Sequence, residues 1–271
     1  MVGPYSSLDF RLTYDGFRVY RERELFALTL LSRRQRLGEI NMFQKHKMNY
    51  QPIPLPYRAG KSNAEMKSGA EDFYTEIKQR HTVRDYSTQS VELSVIQTCI
   101  KAAGLAPSGA NHQPWHFVAI SDENIKRRIR EAAEDEERKF YAGGGGDEWI
   151  KALEPIGTGP SKSHLEDAPW LIVIFAERYG EFDDGERYKN YYVSESVGIA
   201  AGFLIMALHS AGLVSLTHTP NPMKFLNKLL GRPPSNKPLM ILTVGHPAKN
   251  ATVPAAAKIK KSLDEILTVY R

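Results

Sequence analysis

The sequence predicts an α/β or α+β fold in which helices flank a mixed sheet, because helical patterns alternate along the chain with about four strand-like runs. The most apolar run, residues 168–176, is continuous and bounded by charged residues, as in a central strand. The longest helical pattern, residues 191–213, is apolar nearly all round, which is typical of a buried helix. Small residues recur in this helix at a spacing of four, which permits close approach by another helix.

The N-terminal part of the chain lacks the periodicity of a folded domain. Residues 1–47 are predicted to be an extension of unassigned role that holds one helix around residues 22–36. Residues 48–72 are predicted to be an extended arm, because three prolines stand at alternating positions near its start. Such an arm can wrap a partner subunit. The folded domain is then residues 73–271.

Regular elements follow one another through the rest of the chain. Ser90 and Asp122 are typical N-cap residues in front of two of the helices. The predicted helices are 70–80, 91–103, 123–141, 191–213 and 222–230, and the predicted strands are 116–121, 168–176, 214–220 and 239–244. Residues 263–270 form either a strand or a further helix.

Composition indicates a soluble globular protein of a reducing compartment. The 271 residues are 42% hydrophobic and 25% charged, which is ordinary for a globular chain. The one cysteine, Cys99, excludes an intramolecular disulfide and lies among the apolar positions of a helix, so we expect a buried thiol in a cytoplasmic protein. No apolar run reaches the length that spans a membrane.

The formal net charge of +5 is unevenly distributed. Residues 1–47 hold nine Lys and Arg against five Asp and Glu, whereas the remaining 224 residues hold 27 against 26. A nucleic-acid groove needs basic residues clustered within the folded part, and only Lys258, Lys260 and Lys261 form a short cluster there. A protein that associates with nucleic acid through its first 47 residues remains the alternative from a different functional class.

Residues 104–115 connect a helix to a strand, and the composition of this connecting segment is unusual. Two prolines stiffen the segment, and glycines let the backbone approach a neighbouring group closely. Gly104 stands where a helix C-cap belongs. The small residues that follow would allow a flat aromatic ligand to lie against the loop, and a plain turn is the equally good interpretation.

A short basic segment precedes this loop. Arg80, His81 and Arg84 fall within five residues at the end of a helix, with the Thr82 hydroxyl between them. Arginines at this density suit a phosphate group, which they bind through charge-assisted hydrogen bonds. The alternative is a solvated run of charges.

The centre of the chain has the pattern of a lid. Glu137 and Tyr141 are four residues apart and share a helical face, within a run that is otherwise typical of a solvated surface. Four glycines follow at 143–146 and indicate a hinge or a mobile lid. We place the lid at about residues 137–166, mostly irregular with one short helix and with Lys162 near its end.

The order of these motifs is more specific than any one of them. An R-x-x-x-R run, an A-P-S-G-A loop followed by P-W, a T-x-T-P strand end and a basic pair before L-D-E-I occur in that order. This order resembles the FMN-dependent nitroreductase superfamily and, within it, the iodotyrosine deiodinases, over roughly residues 74–266. The resemblance implies an α+β sandwich with a mixed central sheet flanked by helices, in an intertwined homodimer with FMN at the interface.

The resemblance also implies which residues hold the cofactor FMN. The basic segment would hold the phosphate and the ring edge, the proline-serine-glycine loop would lie beside the flavin, and the hydroxyl of Thr219 would lie near flavin N5 as a catalytic group. His81 and His218 depart from the residues usual in the family. The implied cofactor residues are Arg80, His81, Thr82, Val83, Arg84, Pro107, Ser108, Gly109, Thr217, His218, Thr219 and Lys260, with Lys258 and Lys261 as alternatives to the last.

The implied substrate residues agree with simple charge complementarity. A halotyrosine is a zwitterion with an acidic phenol, so its ammonium needs a carboxylate such as Glu137 and its carboxylate needs a cation such as Lys162. Tyr141, one turn after Glu137, can add a hydrogen bond. The backbone N–H of Ala110 can face the phenolate.

The resemblance therefore implies an FMN-dependent oxidoreductase that removes halide reductively from halotyrosines, converting iodotyrosine to tyrosine and iodide, with bromo- and chlorotyrosine as further candidate substrates. The expected electron donor is NAD(P)H or a separate electron-transfer protein. The alternative within enzymes is a broad-specificity NAD(P)H-dependent nitroreductase or quinone reductase. The predicted protein binds neither metal, membrane nor nucleic acid.

Overall fold

The computed structural model describes residues 49–56, 60–182 and 185–271. The chain divides into two compact units, Met1–Tyr57 and Arg58–Arg271. The predicted extension 1–47 and its helix at 22–36 lie outside the described residues. In the first unit, the described residues 49–56 form neither helix nor strand.

Four of the five predicted helices, all but 70–80, agree with the structure to within three residues at each end. Asp122 caps its helix as predicted, because its Oδ1 accepts a hydrogen bond of 2.9 Å from the backbone N–H of Ile125. Gly104 is the C-cap residue of the preceding helix. The α-helices are α1 (Asn63–Lys78), α2 (Leu93–Ala103), α3 (Glu123–Lys139), α4 (Asp147–Leu153), α5 (His164–Asp167), α6 (Val193–Ser210), α7 (Phe225–Leu229) and α8 (Leu263–Ile266).

Two predictions about helix starts were wrong. Ser90 does not cap α2; the N-cap residue is Glu92, because the helix begins two residues later than a Ser90 cap requires, and no side chain completes the cap. The extended arm predicted over 48–72 is interrupted by α1, which begins at Asn63. The reason is a capping box, in which Ser62 and Glu65 satisfy each other's backbone N–H groups.

Four of the described strands form the central sheet, in the order β1 (Trp115–Ile120), β2 (Trp170–Glu177), β6 (Asn236–Gly245) and β5 (Val214–His218). Their ladders are antiparallel. Parallel pairing among the described residues is confined to the bridge between Thr82 and Ser215 at the β5 edge, so the predicted mixed sheet is mixed at that edge alone. A separate hairpin, β3 (Tyr179–Glu181) with β4 (Arg187–Lys189), was not predicted because each strand has three residues.

Helices cover both faces of the sheet, which makes the fold an α+β sandwich. Residues of β2 alternate between the faces: Ile172 and Ile174 pack with α2 and α6, whereas Val173 and Phe175 pack with α3 and α7. Because both faces are buried, β2 reads as a continuous apolar run, as predicted for residues 168–176.

Helix α6 is long and apolar enough, by length and composition alone, to cross a membrane. In this fold it is a core helix that packs against α2 and the sheet. Its buried residues are Ser196, Val197, Ala200, Ala201, Leu204 and Leu208.

Candidate active site

A cavity of about 510 Å³ lies between the end of α3, the segment that follows it and the end of β5. It brings together residues that are far apart in the sequence and that were predicted to bind either substrate or cofactor. The predicted residues that line it are Arg84, Glu137, Tyr141, Lys162, Thr217, His218 and Thr219.

The α3 helix places Glu137 and Tyr141 on the cavity wall. The helix ends at Lys139 and continues as a wider π-type turn over Phe140–Gly144. Gly145 packs so tightly on the Phe140 ring that a Cβ atom there would overlap it. The predicted lid therefore has helical structure, which continues through α4 and a 3₁₀ turn at Glu154–Ile156.

Aromatic contacts hold the first part of this lid together. The Trp149 ring of α4 stands edge-on to Phe140, with 5.2 Å between ring centroids and an angle of 87°. Phe140 makes a similar edge contact with Tyr141 at 5.3 Å. Phe140, Trp149, Leu153 and Thr158 all line the cavity and were not identified from the sequence, since their types have no motif.

Lys162 lies at the centre of the cavity and is only 3% exposed. Its Nζ is 3.2 Å from Oε2 of Glu137 and donates a hydrogen bond of 3.0 Å to Oγ1 of Thr158. The ammonium also lies 5.7 Å from the centre of the Tyr141 ring. The structure thus pairs directly the two charged residues that were predicted to bind the two ends of a zwitterion.

A second set of charges fixes the backbone at Lys162. The backbone N–H of Lys162 donates to Oε1 of Glu134 at 2.7 Å. Arg130 donates to Oε2 of Glu134 at 2.8 Å and to Oε2 of Glu166 at 2.6 Å. Hydrogen bonding to Arg130 lowers the pKa of Glu166. We call Arg130, Glu134 and Glu166 the α3 clamp, since they attach the end of the lid to α3.

Two histidines lie beneath the Lys162–Glu137 ion pair. The rings of His164 and His218 meet edge to face, with 5.5 Å between centroids. Burial is the main cause that lowers the pKa of His164 to about 4 and that of His218 to about 3, and the positive charges of Lys162 and Arg84 contribute to both shifts. Both rings are therefore neutral at physiological pH.

His218 is buried at the end of β5 and lines the cavity. Along β5 and its end, Thr217 and Thr219 are exposed and His218 between them is buried, as the alternation of a strand requires. Its Nε2 lies 3.9 Å from Oε1 of Glu137. The side chain that was predicted to contact the cofactor thus lies beside the predicted substrate residues.

The basic segment runs along the exposed edge of the sheet. Thr82 forms the bridge to Ser215, and the buried Val83 donates its N–H to the Ser215 carbonyl at 3.4 Å. Arg84 reaches the cavity, whereas Arg80, His81, Thr82 and Val83 do not line it. No hydrogen bond or ion pair involves the guanidinium of Arg80 or Arg84 within the described ranges, so both can bind an added phosphate.

The loop predicted to lie beside the flavin is found at the other edge of the sheet. The N–H of Gly109 donates to Oγ of Ser196 at 3.3 Å, and a Cβ at Gly109 would lie 2.8 Å from the Tyr191 carbonyl. Ala110 has a left-handed φ of 49°, and two further non-glycine residues of the loop do too. Three strand spacings, about 14 Å, separate the β1 and β5 edges. Pro107, Ser108, Gly109 and Ala110 do not line the cavity.

Lys260, the predicted phosphate ligand near the C-terminus, is exposed and also lies outside the cavity lining. It follows a 3₁₀ turn at Ala255–Lys258 and precedes α8. One chain therefore brings three of the four predicted substrate residues, Glu137, Tyr141 and Lys162, to the cavity, and only some of the predicted cofactor residues.

Comparison with known proteins identifies the family of this chain. The model of the Nitroreductase family matches residues 77–246. An iodotyrosine deiodinase of Haliscomenobacter hydrossis is 46% identical over 224 residues, which cover 82% of this chain and 100% of that protein. Iodotyrosine deiodinase 1 of Homo sapiens is 39% identical, over 83% of this chain and 77% of that protein.

A solved structure agrees with these matches. The crystal structure of an oxidized iodotyrosine deiodinase bound to FMN and 3-iodo-L-tyrosine superposes with a TM-score of 0.60 at 32% sequence identity, covering 73% of this chain and 98% of that one. The chain belongs to the nitroreductase family and, within it, to the iodotyrosine deiodinases.

Proposed function

We propose that the protein is an FMN-dependent dehalogenase that converts halotyrosines, iodotyrosine first among them, to tyrosine and halide. The observation that carries the proposal is the Lys162–Glu137 ion pair, at 3.2 Å, in the wall of the cavity that Thr217, Thr219 and Arg84 also line. A reductase for uncharged aromatics has no need of a buried acid and base at this place. Bromo- and chlorotyrosine would present the same charged groups.

The ion pair is complementary to the amino-acid part of such a substrate. An incoming zwitterion offers an ammonium to Glu137 and a carboxylate to Lys162, so that one internal ion pair is exchanged for two. The buried hydroxyl of Tyr141 has no hydrogen-bond partner within the described residues and can donate to the carboxylate. Binding energy from this end of the molecule then holds the ring in place for reaction.

FMN fits the polar residues beside the cavity. Arg80 and Arg84 would hold its phosphate together with Lys260, the 80–84 backbone and the 107–109 loop would contact the ring, and the Thr219 hydroxyl would lie near N5. When bound, FMN supplies the two electrons that, with one proton, replace the carbon–halogen bond by a carbon–hydrogen bond and release halide. Phe140, Trp149 and Leu153 cover the cavity and exclude water from the substrate.

We also propose a homodimer, because one chain leaves the site incomplete. The 107–110 loop precedes β1 and does not line the cavity, and β1 and β5 are the opposite edge strands of the sheet. A second copy would bring its loop, and the Ala110 N–H, to the cavity. The face of α6 that turns away from the sheet supports this, since Phe203 is 44% exposed and Ile199 is 42% exposed. Exposed apolar side chains are also present on α1 and in residues 259–270.

An anaerobic titration tests the proposed reaction. Dithionite-reduced holoprotein is mixed with 3-iodo-L-tyrosine, and flavin absorbance, tyrosine and iodide are followed. We expect flavin reoxidation with one tyrosine and one iodide per flavin. Reoxidation by nitroaromatics or quinones without a response to iodotyrosine would identify a broad-specificity reductase instead. Repeating the reduction with NADH, NADPH or a flavodoxin-type donor then identifies the electron source.

The buried, free thiol of Cys99 supports a reducing compartment such as the cytoplasm. Fractionation of cells that express the untagged protein tests this location.

A further inference from the structure

We propose that His164 and His218 form an additional subsite for the substrate carboxylate and help to select amino-acid substrates over uncharged ones. The inference rests on the proposed function, since it concerns the same cavity. The sequence indicated no role for His164, and it indicated a cofactor-binding role for His218.

The first argument is the state of the two ring nitrogens. His164 is 6% exposed and His218 is 7% exposed, and both line the cavity. The Nε2 atom of each is buried and has no hydrogen-bond partner in the described ranges of the chain. Buried polar atoms that serve only the fold are almost always paired. Two unpaired atoms in one cavity therefore indicate groups that a ligand satisfies.

The second argument is the charge around the rings. Lys162 and Arg84 both act electrostatically on the two imidazoles and, together with burial, favour their neutral forms. A neutral imidazole with its proton on Nε2 is a donor without a charge. In a positive environment such a donor favours an anionic acceptor over an ammonium. The site would thus add two N–H donors to those of Lys162 and Tyr141.

The third argument is the group that already lies beside His218. Oε1 of Glu137 is 3.9 Å from Nε2 of His218, and Oε2 of the same carboxylate is 3.2 Å from Nζ of Lys162. A carboxylate is therefore the kind of group that this position accepts. A substrate carboxylate that takes this place would free Glu137 to bind the substrate ammonium.

Binding of two ligands that differ in one group tests the subsite. Dissociation constants of FMN-loaded protein are measured by flavin fluorescence for 3-iodo-L-tyrosine and for its carboxamide, which keeps the ring and ammonium but lacks the negative charge. The variants are His164→Phe and His218→Leu, with His164→Asn and His218→Asn to restore a donor. His209→Gln, at the end of α6 and outside the cavity lining, is the control.

We expect each apolar variant to weaken iodotyrosine binding about tenfold or more, the usual effect of losing a hydrogen bond to a charged group. Binding of the carboxamide and of FMN should change by less than about twofold, and the Asn variants should recover part of the loss. Equal losses for both ligands, no loss for either, or release of FMN would overturn the inference. If the unchanged protein neither binds nor deiodinates iodotyrosine, the proposed function itself fails.

Discussion

At the scale of single residues, function depends on charges that the fold holds in a poorly solvated place. Glu137 and Lys162 are 25 positions apart in the sequence and meet at 3.2 Å. Each keeps the other's charge compensated, and desolvation strengthens the interaction of both with a third charge. The same arrangement makes the loss of either partner costly, because the remaining charge is buried and unpaired.

We predict that Glu137→Gln and Lys162→Met each weaken binding of iodotyrosine by about 10- to 100-fold while FMN remains bound. Each substitution removes one of the two charges that the zwitterion pairs with. Flavin fluorescence titration measures both affinities. Lys67→Met, which breaks only the exposed pair with Glu71, is the matched control and should bind iodotyrosine normally. Loss of flavin together with substrate would show that these residues serve the cofactor.

The two buried histidines predict a dependence of stability on pH. The folded pKa values are about 4 for His164 and about 3 for His218, below the ordinary value of 6.5. As pH falls from 6.5 toward 4, the unfolded chain binds protons that the folded chain does not, so stability falls through that window. Each unit of pKa difference is worth about 1.4 kcal/mol.

Replacing one histidine should flatten this dependence. We expect His164→Asn to reduce the change in the free energy of unfolding between pH 6.5 and 4.5 by about 1 kcal/mol or more. Urea unfolding at a series of pH values measures it. Leu153→Val, which alters the same cavity without a titratable group, should keep the original slope. An unchanged slope in His164→Asn would mean that this ring is accessible to protons in the folded protein.

At the scale of elements, long segments with a clear apolar pattern were predictable, whereas α1 and the short elements were not. The positions of α2, α3 and β2 follow from their apolar patterns, which tertiary packing reinforces. The start of α1 was missed because its capping box precedes a helix that has no buried residue. The sequence predicted a glycine hinge or mobile lid at 143–146 and one short helix within the lid. It did not predict the π-type turn, since contacts of Phe140 and Trp149 are not visible in sequence.

The α3 clamp should affect substrate binding through Lys162, although its own residues do not touch the substrate. Glu134→Gln weakens the hydrogen bond that fixes the Lys162 backbone and the ion pair with Arg130. We expect KM for iodotyrosine to rise about fivefold or more with kcat nearly unchanged, because Lys162 becomes less well positioned while the flavin is undisturbed. Steady-state kinetics with a fixed reductant separates the two constants.

A nearby surface pair provides the control for the clamp. Arg138→Met removes the exposed ion pair with Asp135 on the same helix and should leave both constants unchanged. A fall in kcat with constant KM in Glu134→Gln would contradict a role in positioning Lys162.

At the scale of the whole molecule, the sequence indicated candidate site residues. It did not indicate that one chain places them at opposite edges of the sheet. Order along the chain places the 107–110 loop and Thr217–Thr219 in one site, whereas the strand order places them at opposite edges of the sheet. Pairing between β1 and β2 and between β2 and β6 joins segments far apart in sequence, so no local pattern reveals it. His164 was missed for the same reason, since its meeting with His218 depends on tertiary structure.

If the protein is the proposed homodimer, cofactor binding depends on its oligomeric state. Phe203 lies on the outer face of α6, half exposed in one chain, and a charge there would be buried if a second copy packs on that face. We expect Phe203→Glu to shift the protein from dimer to monomer in sedimentation velocity and to lose FMN in parallel, because the 107–110 loop and the cavity would no longer meet. Leu93, at the start of α2, is comparably exposed, and the Leu93→Glu variant should remain dimeric and retain FMN. A monomeric Phe203→Glu protein that retains FMN would show that each chain builds its flavin site alone.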